Sequence, residues 1–271
     1  MAELVLDVGM HDGEDTAYYL SCGYDVVAVE ADPAKCALAS RRFQRELNSG
    51  RLEILNFGIT DARGEVEFWV SEESVWSSFD HGAATRQGRT ATPIVVPTIS
   101  FGEILERYRE PLFIKVDIEG NDALCFRDMA RASIRPKHVS FEGNSTGVED
   151  IALLASIGYD RFKCIRQNDF RELTPRNTWW QVQVRKVVWQ AHHGSRLHYR
   201  RRQFAGVRFA AGSSGPMPWM FPGRWWTAEQ MQAVWAQLLD IDRELNCNGL
   251  GEWFDIHACR SLLPQPNGHV S

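Results

Sequence analysis

Two carboxylates and two glycines near the N-terminus have the residue types and spacing of a nucleotide-binding site. An apolar run reaches Asp7, and the chain then turns through Gly9 and Gly13 into a predicted helix. Glycine permits a tight turn and lets a ligand approach the backbone. Glu30 ends a second apolar run 23 residues after Asp7. An acid at that position can accept hydrogen bonds from ribose hydroxyls.

The turn differs from the dinucleotide fingerprint G-x-G-x-x-G, because His11 occupies its centre and the spacing is Gly9-x-x-x-Gly13. Asp7 would repel a pyrophosphate but would attract a cationic or amine-bearing ligand. S-adenosylmethionine has a sulfonium, an amino acid end and a ribose, and therefore suits the site. The alternative is an ordinary strand, turn and helix with no ligand.

A second group of acids follows later apolar runs. The motif K-V-D-I-E-G contains Asp117 and Glu119, and Glu142 ends the next predicted strand. These acids are candidates for a general base, since crowded carboxylates raise one another's pKa. They could equally gather a hard divalent ion such as Mg²⁺, but no spacing demands one, so no metal ligands are predicted.

Elements that alternate between strand and helix must position these residues. This alternation predicts an α/β fold with a doubly wound, mostly parallel sheet, in which ligands bind at the carboxyl ends of the strands. The predicted elements of this core are strands at Asp25–Val29, Leu52–Phe57, Leu112–Val116, His138–Phe141 and Tyr159–Ile165, and helices at Pro33–Leu47, Phe101–Tyr108, Asp122–Ala132 and Val148–Ile157. Residues 64–70 alternate as an antiparallel strand does, and residues 71–93 are predicted to be a long loop.

The two motifs together resemble those of class I S-adenosylmethionine-dependent methyltransferases, and in particular the FkbM family. The family's first motif runs Asp-x-Gly-x-Gly-x-Gly, and its later Lys-(Ile/Val)-Asp-(Val/Ile)-Glu-Gly run matches Lys115–Gly120. The family tends to have Asn where this chain has His11. The resemblance covers roughly residues 3–165.

The resemblance implies a set of site residues. The glycine turn would hold the methionine end of the cofactor, Glu30 the ribose, and the segment after the third strand the adenine. Asp117, Glu119 and Glu142 are the expected catalytic residues. The expected cofactor-binding residues are Asp7, Gly9, Met10, His11, Asp12, Gly13, Glu30, Ala31, Asp32, Gly58, Ile59, Ser78 and Asp117.

Composition sets the broader limits. The chain has 271 residues, of which 44% are hydrophobic and 24% charged, with a net charge of −5. These values are typical of a soluble globular protein and favour neither nucleic acid nor an anionic membrane as a partner. Six scattered cysteines suggest reduced thiols in the cytoplasm. The early first strand leaves no room for a signal peptide.

The C-terminal third differs from the rest, because eight of the ten tryptophans lie at or after residue 179. We therefore expect a methyltransferase core over residues 1–170 and a Trp-rich C-terminal elaboration over residues 171–271. The elaboration would bind the acceptor, mediate assembly into a homodimer, or both. Residues 192–202 form a basic run that is either a solvated face or an anion site. The tryptophans are expected mainly to pack in the core and tail, and the alternative is that some of them line the acceptor, namely Trp179, Trp180, Trp225 and Trp226.

The sequence favours methyl transfer from S-adenosylmethionine to an oxygen or nitrogen of a specialised metabolite, sugar or peptide. Two other classes stay open. A nicotinamide-dependent oxidoreductase could use a similar sheet, although the missing glycine and the D-I-E-G run argue against it. A non-catalytic binding module could keep the same fold.

Overall fold

A central eight-stranded sheet dominates the computed structural model, which describes residues 2–132, 134–167, 170–175, 184, 202–204, 206–209, 213–245 and 253–261. The strands in the described part of the chain are β1 (Leu4–Val8), β2 (Asp25–Glu30), β3 (Leu52–Asn56), β4 (Gly58–Ile59), β5 (Gly64–Ser71), β6 (Ala91–Ile99), β7 (Phe113–Val116), β8 (His138–Glu142), β9 (Arg161–Arg166), β10 (Glu172–Leu173), β11 (Arg202–Phe204), β12 (Val207–Phe209) and β13 (Phe254–Cys259). The described α-helices are α1 (Glu14–Ser21), α2 (Pro33–Arg42), α3 (Gln44–Asn48), α4 (His81–Ala84), α5 (Phe101–Arg107), α6 (Asp122–Arg131), α7 (Gly147–Ser156) and α8 (Ala228–Leu245).

The strand order of the central sheet is β3-β2-β1-β7-β8-β13-β9-β10. The first five strands in this order are parallel neighbours. Every residue of β1 and β7 is buried, as expected for strands that are covered on both faces. The α/β fold predicted from the alternating pattern is confirmed. The carboxyl ends of β1, β2, β7 and β8 meet at one edge of the sheet.

The C-terminal strand β13 lies inside this sheet, antiparallel to both β8 and β9. Helix α8 packs against α7 and β9. Its Trp235 covers Gly143 and Gly147 so closely that a Cβ at either glycine would lie 2.4 Å from the indole. Strand β13 and helix α8 of the C-terminal segment therefore pack directly with the core. The Trp235 side chain of α8 thus packs against the core.

One predicted helix is interrupted. The segment expected to be continuous over residues 33–47 breaks at Phe43, whose φ of −109° and ψ of 27° are not helical. The Phe43 ring is buried, and a Cβ on Gly13 would lie 2.7 Å from it. The break turns this ring onto the glycine turn between β1 and α1, so the side chain supports the predicted site from below.

A smaller sheet of order β4-β6-β5 carries the long connection between β5 and β6. The antiparallel strand expected there is present. Residues 71–93, predicted to be a loop, contain a 3₁₀ turn at Ser74–Trp76, helix α4, a second 3₁₀ turn at Arg86–Gly88 and the start of β6. Trp76 is buried, which anchors this connection on the core.

A second apolar cluster packs around α1 and joins residues of the parallel strands to residues of the C-terminal third, among them Phe209, Met217 and Phe221. Tyr18 of α1 packs against Phe209 with ring centroids 4.9 Å apart. Phe170 contacts Phe209, and Phe204 contacts Phe221, each with ring centroids 5.4 Å apart. The basic residues 192–201 and the tryptophans at 179 and 180 lie outside the described residues. Among the helices that are described, none is both long and apolar enough to cross a membrane.

Candidate active site

The turn between β1 and α1 is built from left-handed residues. Gly9, His11 and Gly13 have φ values of +88°, +52° and +76°. The amides of Gly9 and Met10 both donate to the Val29 carbonyl of β2, which ties the turn to the neighbouring strand. A Cβ on Gly9 would lie 1.8 Å from the Asp117 carbonyl oxygen. Only glycine fits here, because the turn presses directly on the backbone that follows β7.

The left-handed conformation explains how His11 can replace the asparagine expected from the family resemblance, since Asn, Asp and His enter this region more readily than other residues with a Cβ. The His11 Nε2 atom lies 2.9 Å from the Ser74 Oγ atom. Burial and then the nearby Lys35 ammonium lower the pKa of His11. Its neutral ring therefore joins the glycine turn to the connection between β5 and β6.

Glu30 is fixed at the tip of β2 by two backbone donors. The amide of His11 donates to one carboxylate oxygen at 2.7 Å, and the amide of Asp32 donates to the other at 2.9 Å. Burial raises the pKa of Glu30, although these two amides oppose the rise. Asn56 of β3 holds the following backbone by donating to the carbonyls of Glu30 and Ala31. The side chain is half-buried, and each oxygen retains capacity for a second hydrogen bond.

Lys115 is the centre of a buried ionic cluster beneath the turn. Its ammonium donates to the Gly9 carbonyl at 2.9 Å and lies 3.4–3.6 Å from carboxylates of Asp7, Asp15 and Asp117. Burial alone would lower the pKa of Lys115, but the three carboxylates raise it well above its ordinary value. The lysine is therefore a permanent cation that holds the turn.

Asp7 belongs to this cluster and is completely buried. It accepts a hydrogen bond from the Thr16 hydroxyl at 2.5 Å. Burial raises the pKa of Asp7 to about 6, against the effect of Lys115. Its carboxylate therefore contacts protein groups, and its effect on a ligand would pass through the turn.

The three predicted catalytic acids lie at the carboxyl ends of β7 and β8. Burial, followed by Asp117 and Glu119, raises the pKa of Glu142 well above its ordinary value. Among the described residues the Glu142 side chain has no hydrogen-bond partner or ion pair, although the residue is only partly exposed. Asp117 is 22% exposed and pairs with Lys115. Glu142 is thus the acid whose oxygens are least engaged by the protein.

Glu119 is held by the connection between β5 and β6. Its two oxygens lie 3.3 and 3.2 Å from two nitrogens of the Arg86 guanidinium, which stacks 4.6 Å from the Trp76 ring centre. Burial raises the pKa of Glu119 to about 7 despite Arg86, and Asp117 adds to the rise. The Ser78 hydroxyl donates to the Glu119 carbonyl at 2.9 Å. Ser78, predicted to bind cofactor, therefore supports this loop.

The other predicted cofactor residues surround the same edge, some of them engaged within the protein. Asp12 pairs with Lys35 at 2.6 Å, and Asp32 caps α2 by accepting from the Ala34 amide at 2.8 Å. Met10 is buried in the apolar cluster beside α1. Gly58 and Ile59 form β4, which pairs with β6.

Two further acids join the group that sequence reasoning identified. Asp122 is buried, and burial, opposed by the Ile118 amide, raises its pKa to about 7. Asp255 of β13 lies directly opposite Glu142 and is also buried. Asp122 begins α6 two residues after the K-V-D-I-E-G run, so its position near the other acids could be predicted from the sequence. The position of Asp255 depends on the insertion of β13 into the sheet, which no local sequence pattern predicts.

The balance of charge at this edge is negative. Around the turn and the strand ends, the carboxylates outnumber the cations that pair with them, which include Lys115, Arg86 and Lys35. The raised pKa values of Asp7, Glu119 and Asp122 have burial as their largest cause, and the excess of like charge adds to it. Such a donor set fits a cationic ligand. Among the described residues no group of three or more His, Cys, Asp or Glu has the arrangement of a metal site.

A cavity of about 440 Å³ opens on the same side of the sheet edge. Thr60 and Asp61, which follow β4, form one wall, and Gly120 and Asn121 form part of the other. The cavity therefore lies between the segment predicted to contact adenine and the K-V-D-I-E-G loop.

A family model and several solved structures of low sequence identity are similar to this chain. The family model described as "Methyltransferase FkbM domain" matches residues 7–172. A methyltransferase FkbM from Methylobacillus flagellatus KT is 18% identical with a TM-score of 0.41, over 58% of this chain and 37% of the other.

Two other solved structures are more distant in sequence. A precorrin-6y C5,15-methyltransferase from Geobacter metallireducens GS-15 is 10% identical with a TM-score of 0.37, over 61% of this chain and 67% of the other. A TehB-like SAM-dependent methyltransferase from Corynebacterium glutamicum ATCC 13032 Kitasato is 9% identical with a TM-score of 0.36, over 60% and 69%. No curated protein sequence matches the chain.

The family model covers more than half of the sequence and includes both the glycine turn and the K-V-D-I-E-G run. The same residues form the acidic edge of the sheet. The chain therefore belongs to the FkbM family of methyltransferases.

Proposed function

We propose that this chain transfers a methyl group from S-adenosylmethionine to an oxygen or nitrogen atom of a specialised metabolite, sugar or peptide. The observation that carries the cofactor assignment is Glu30. Two backbone amides hold its carboxylate at the tip of β2, beside a turn of three left-handed residues. This arrangement favours a ribose diol at the strand end.

The residues present fit the cofactor by charge as well as by shape. S-adenosylmethionine, when bound, supplies a methyl group that its sulfonium already activates. Glu30 would accept hydrogen bonds from the ribose, and the turn from Gly9 to Gly13 would bind the methionine end. Ala31, Asp32, Gly58 and Ile59 would border the adenine. Lys115 keeps the Gly9 carbonyl in place, so it would hold the turn without contacting the ligand.

Glu142 is the best candidate for the general base. An amide or hydroxyl acceptor is a weak nucleophile and gains from proton removal. A base works best when its pKa lies near the working pH, and the pKa of Glu142 is raised by burial and neighbouring acids. Glu119 has a similarly raised pKa but is engaged by Arg86. We therefore propose that Glu142 accepts the proton, while Asp117 and Glu119 orient the acceptor.

The acceptor side is proposed to involve the connection between β5 and β6 together with residues after 171. That connection touches the glycine turn through Ser74 and the acidic loop through Arg86. It therefore borders both halves of the site. In-line alignment of acceptor and methyl is the main requirement of this chemistry, and a rigid border supplies it.

Isothermal titration with S-adenosylhomocysteine tests the cofactor assignment. We expect micromolar binding to the wild-type chain and at least tenfold weaker binding to Glu30→Ala, since a pair of ribose hydrogen bonds to a charged group is lost. Asp25→Ala is the matched control, because Asp25 is an acid at the opposite end of the same strand. Equal binding by Glu30→Ala and Asp25→Ala would contradict the assignment, and NADH binding would support an oxidoreductase instead.

A further inference from the structure

A continuous path of buried polar contacts connects the C-terminal third to the glycine turn. The Ser213 hydroxyl donates to one oxygen of Asp15, and the Ser214 amide donates to the other at 3.0 Å. That second oxygen lies 3.6 Å from the Lys115 ammonium. Lys115 in turn donates to the Gly9 carbonyl at 2.9 Å. Three contacts thus link residues that are about 200 positions apart in the sequence.

Each side chain on this path is shielded from water. Asp15, Lys115, Ser213 and Ser214 are all 5% exposed or less. In such surroundings charged hydrogen bonds are stronger than at the surface, and a donor that is lost is not replaced by solvent. Asp15 satisfies its carboxylate with two donors from the C-terminal third and with one lysine from β7. Any movement of residues 213–215 therefore changes the charge that Lys115 experiences.

Lys115 must balance three carboxylates and one carbonyl. Asp7 and Asp117 compete with Asp15 for the ammonium at 3.4–3.6 Å. The two donors hold Asp15 where its charge offsets the pull of Asp7 and Asp117 on the ammonium. If a donor or the charge of Asp15 is lost, the ammonium shifts within the cluster and its contact with the Gly9 carbonyl weakens. The glycine turn would lose the contact that fixes its first peptide.

Residues 213–221 are attached to α1 at a second, independent point. The Tyr18 hydroxyl contacts the Met220 sulfur at 3.1 Å. This contact also docks the segment on the helix, but within the described part of the chain no hydrogen bond or ion pair connects it to Lys115. The second attachment allows simple loosening of the segment to be distinguished from an effect that passes through Asp15.

We propose that Ser213, Asp15 and Lys115 are positioning residues that couple the C-terminal segment to the cofactor turn. The segment next to the acceptor side thereby sets the affinity for cofactor, and bound cofactor in turn orders the segment. This inference rests on the proposed use of S-adenosylmethionine. Coupling of this kind is reciprocal, so each site must affect the other by the same factor.

The first experiment compares binding of S-adenosylhomocysteine to five full-length variants by isothermal titration. We expect Ser213→Ala and Asp15→Asn to weaken binding by about fivefold or more, the usual lower range for coupled sites. Ser214→Ala is the matched control, because only its backbone amide contacts Asp15. Met220→Leu controls for loosening of the segment. Both controls should bind within about twofold of wild type.

The double variant with Asp15→Asn and Ser213→Ala should bind no more weakly than Asp15→Asn alone, since both changes interrupt one path.

The second experiment uses the wild-type chain and does not depend on the folding of variants. Hydrogen exchange at the amides of Ser214 and Gly215 should slow when S-adenosylhomocysteine is added. Unchanged exchange, or equal weakening by Ser213→Ala and Met220→Leu, would overturn the coupling. Absence of binding to the wild-type chain would instead refute the proposed cofactor, so the two failures are distinguishable.

Discussion

Replacement of Gly9 by alanine tests the geometry of the site most locally. Gly9 has a φ of +88°, and its Cα faces the backbone that follows β7. A Cβ at this position would lie 1.8 Å from the Asp117 carbonyl oxygen and 2.8 Å from the carbonyl carbon. Both atoms are backbone, so neither can rotate out of the way. Relief requires β1 and β7 to separate at the edge where the ligand would bind.

Two costs add up in this variant. A residue with a Cβ loses roughly 1–2 kcal/mol in a left-handed conformation. Overpacking of a rigid contact adds about 1–3 kcal/mol. We therefore expect Gly9→Ala to lower the free energy of unfolding by about 2–5 kcal/mol. Gly120→Ala is the control, because Gly120 has a φ of +97° and no atom within 4 Å of the added Cβ. It should bear only the first cost.

Urea denaturation followed by tryptophan fluorescence measures the loss of free energy of unfolding in Gly9→Ala and in Gly120→Ala. Titration with S-adenosylhomocysteine measures cofactor binding by the folded variants. Gly9→Ala should be the less stable variant by about 1–3 kcal/mol and should lose most of its binding. If both variants lose the same stability, the close approach of the turn to Asp117 is not real and the description of the site is wrong.

Three further outcomes follow from the charges at the sheet edge. Glu142→Gln should have a higher thermal unfolding midpoint than wild type at about pH 8 and a similar midpoint near pH 5. The reason is that folding raises the pKa of Glu142, so the ionised carboxylate destabilises the native state. A lower midpoint at pH 8 would contradict this. Arg86→Ala should speed hydrogen exchange in the connection between β5 and β6, because it removes the ion pair with Glu119. Arg89→Ala is the control, since Arg89 is an exposed arginine in the same connection, and it should leave the exchange unchanged. Equal effects of the two variants would show that the ion pair does not hold the loop. Binding of S-adenosylmethionine should strengthen from about pH 6 to about pH 8, because Glu119 and Asp122, whose pKa values are raised to about 7, become ionised over this range. Protons should therefore be released on binding, which calorimetry in two buffers measures. Tighter binding at low pH would refute this prediction.

The parallel part of the fold could be predicted from sequence because its signals are local. Each buried strand is a segment of four to six residues that contains apolar side chains and is followed closely by an acid or a glycine turn. The alternation with helices then fixes a parallel sheet, and parallel strands bring Glu30, Asp117 and Glu142 to one edge.

Other features depend on contacts that are distant in sequence. Strand β13 reads F-D-I-H-A-C, and its polar positions Asp255 and His257 gave no sign of a central strand. Both side chains are buried because β13 lies inside the sheet, between β8 and β9. The ion pair between Arg86 and Glu119 likewise joins a segment predicted to be a loop to a motif 33 residues away.

Trp225 and Trp226 are the tryptophans of the possible acceptor wall that lie in the described part of the chain. Trp226 is buried, and its indole donates to Glu172 at 2.9 Å, while Trp225 lies 4.9 Å from the Lys163 ammonium. Their contacts are those of packing between the C-terminal segment and β9.

Titration of the full-length wild-type chain with S-adenosylmethionine, S-adenosylhomocysteine and NADH tests the central claim most directly. The acidic edge and the fixed Glu30 predict micromolar binding of the first two ligands and no binding of NADH. Binding of NADH, or of none of the three, would contradict the account.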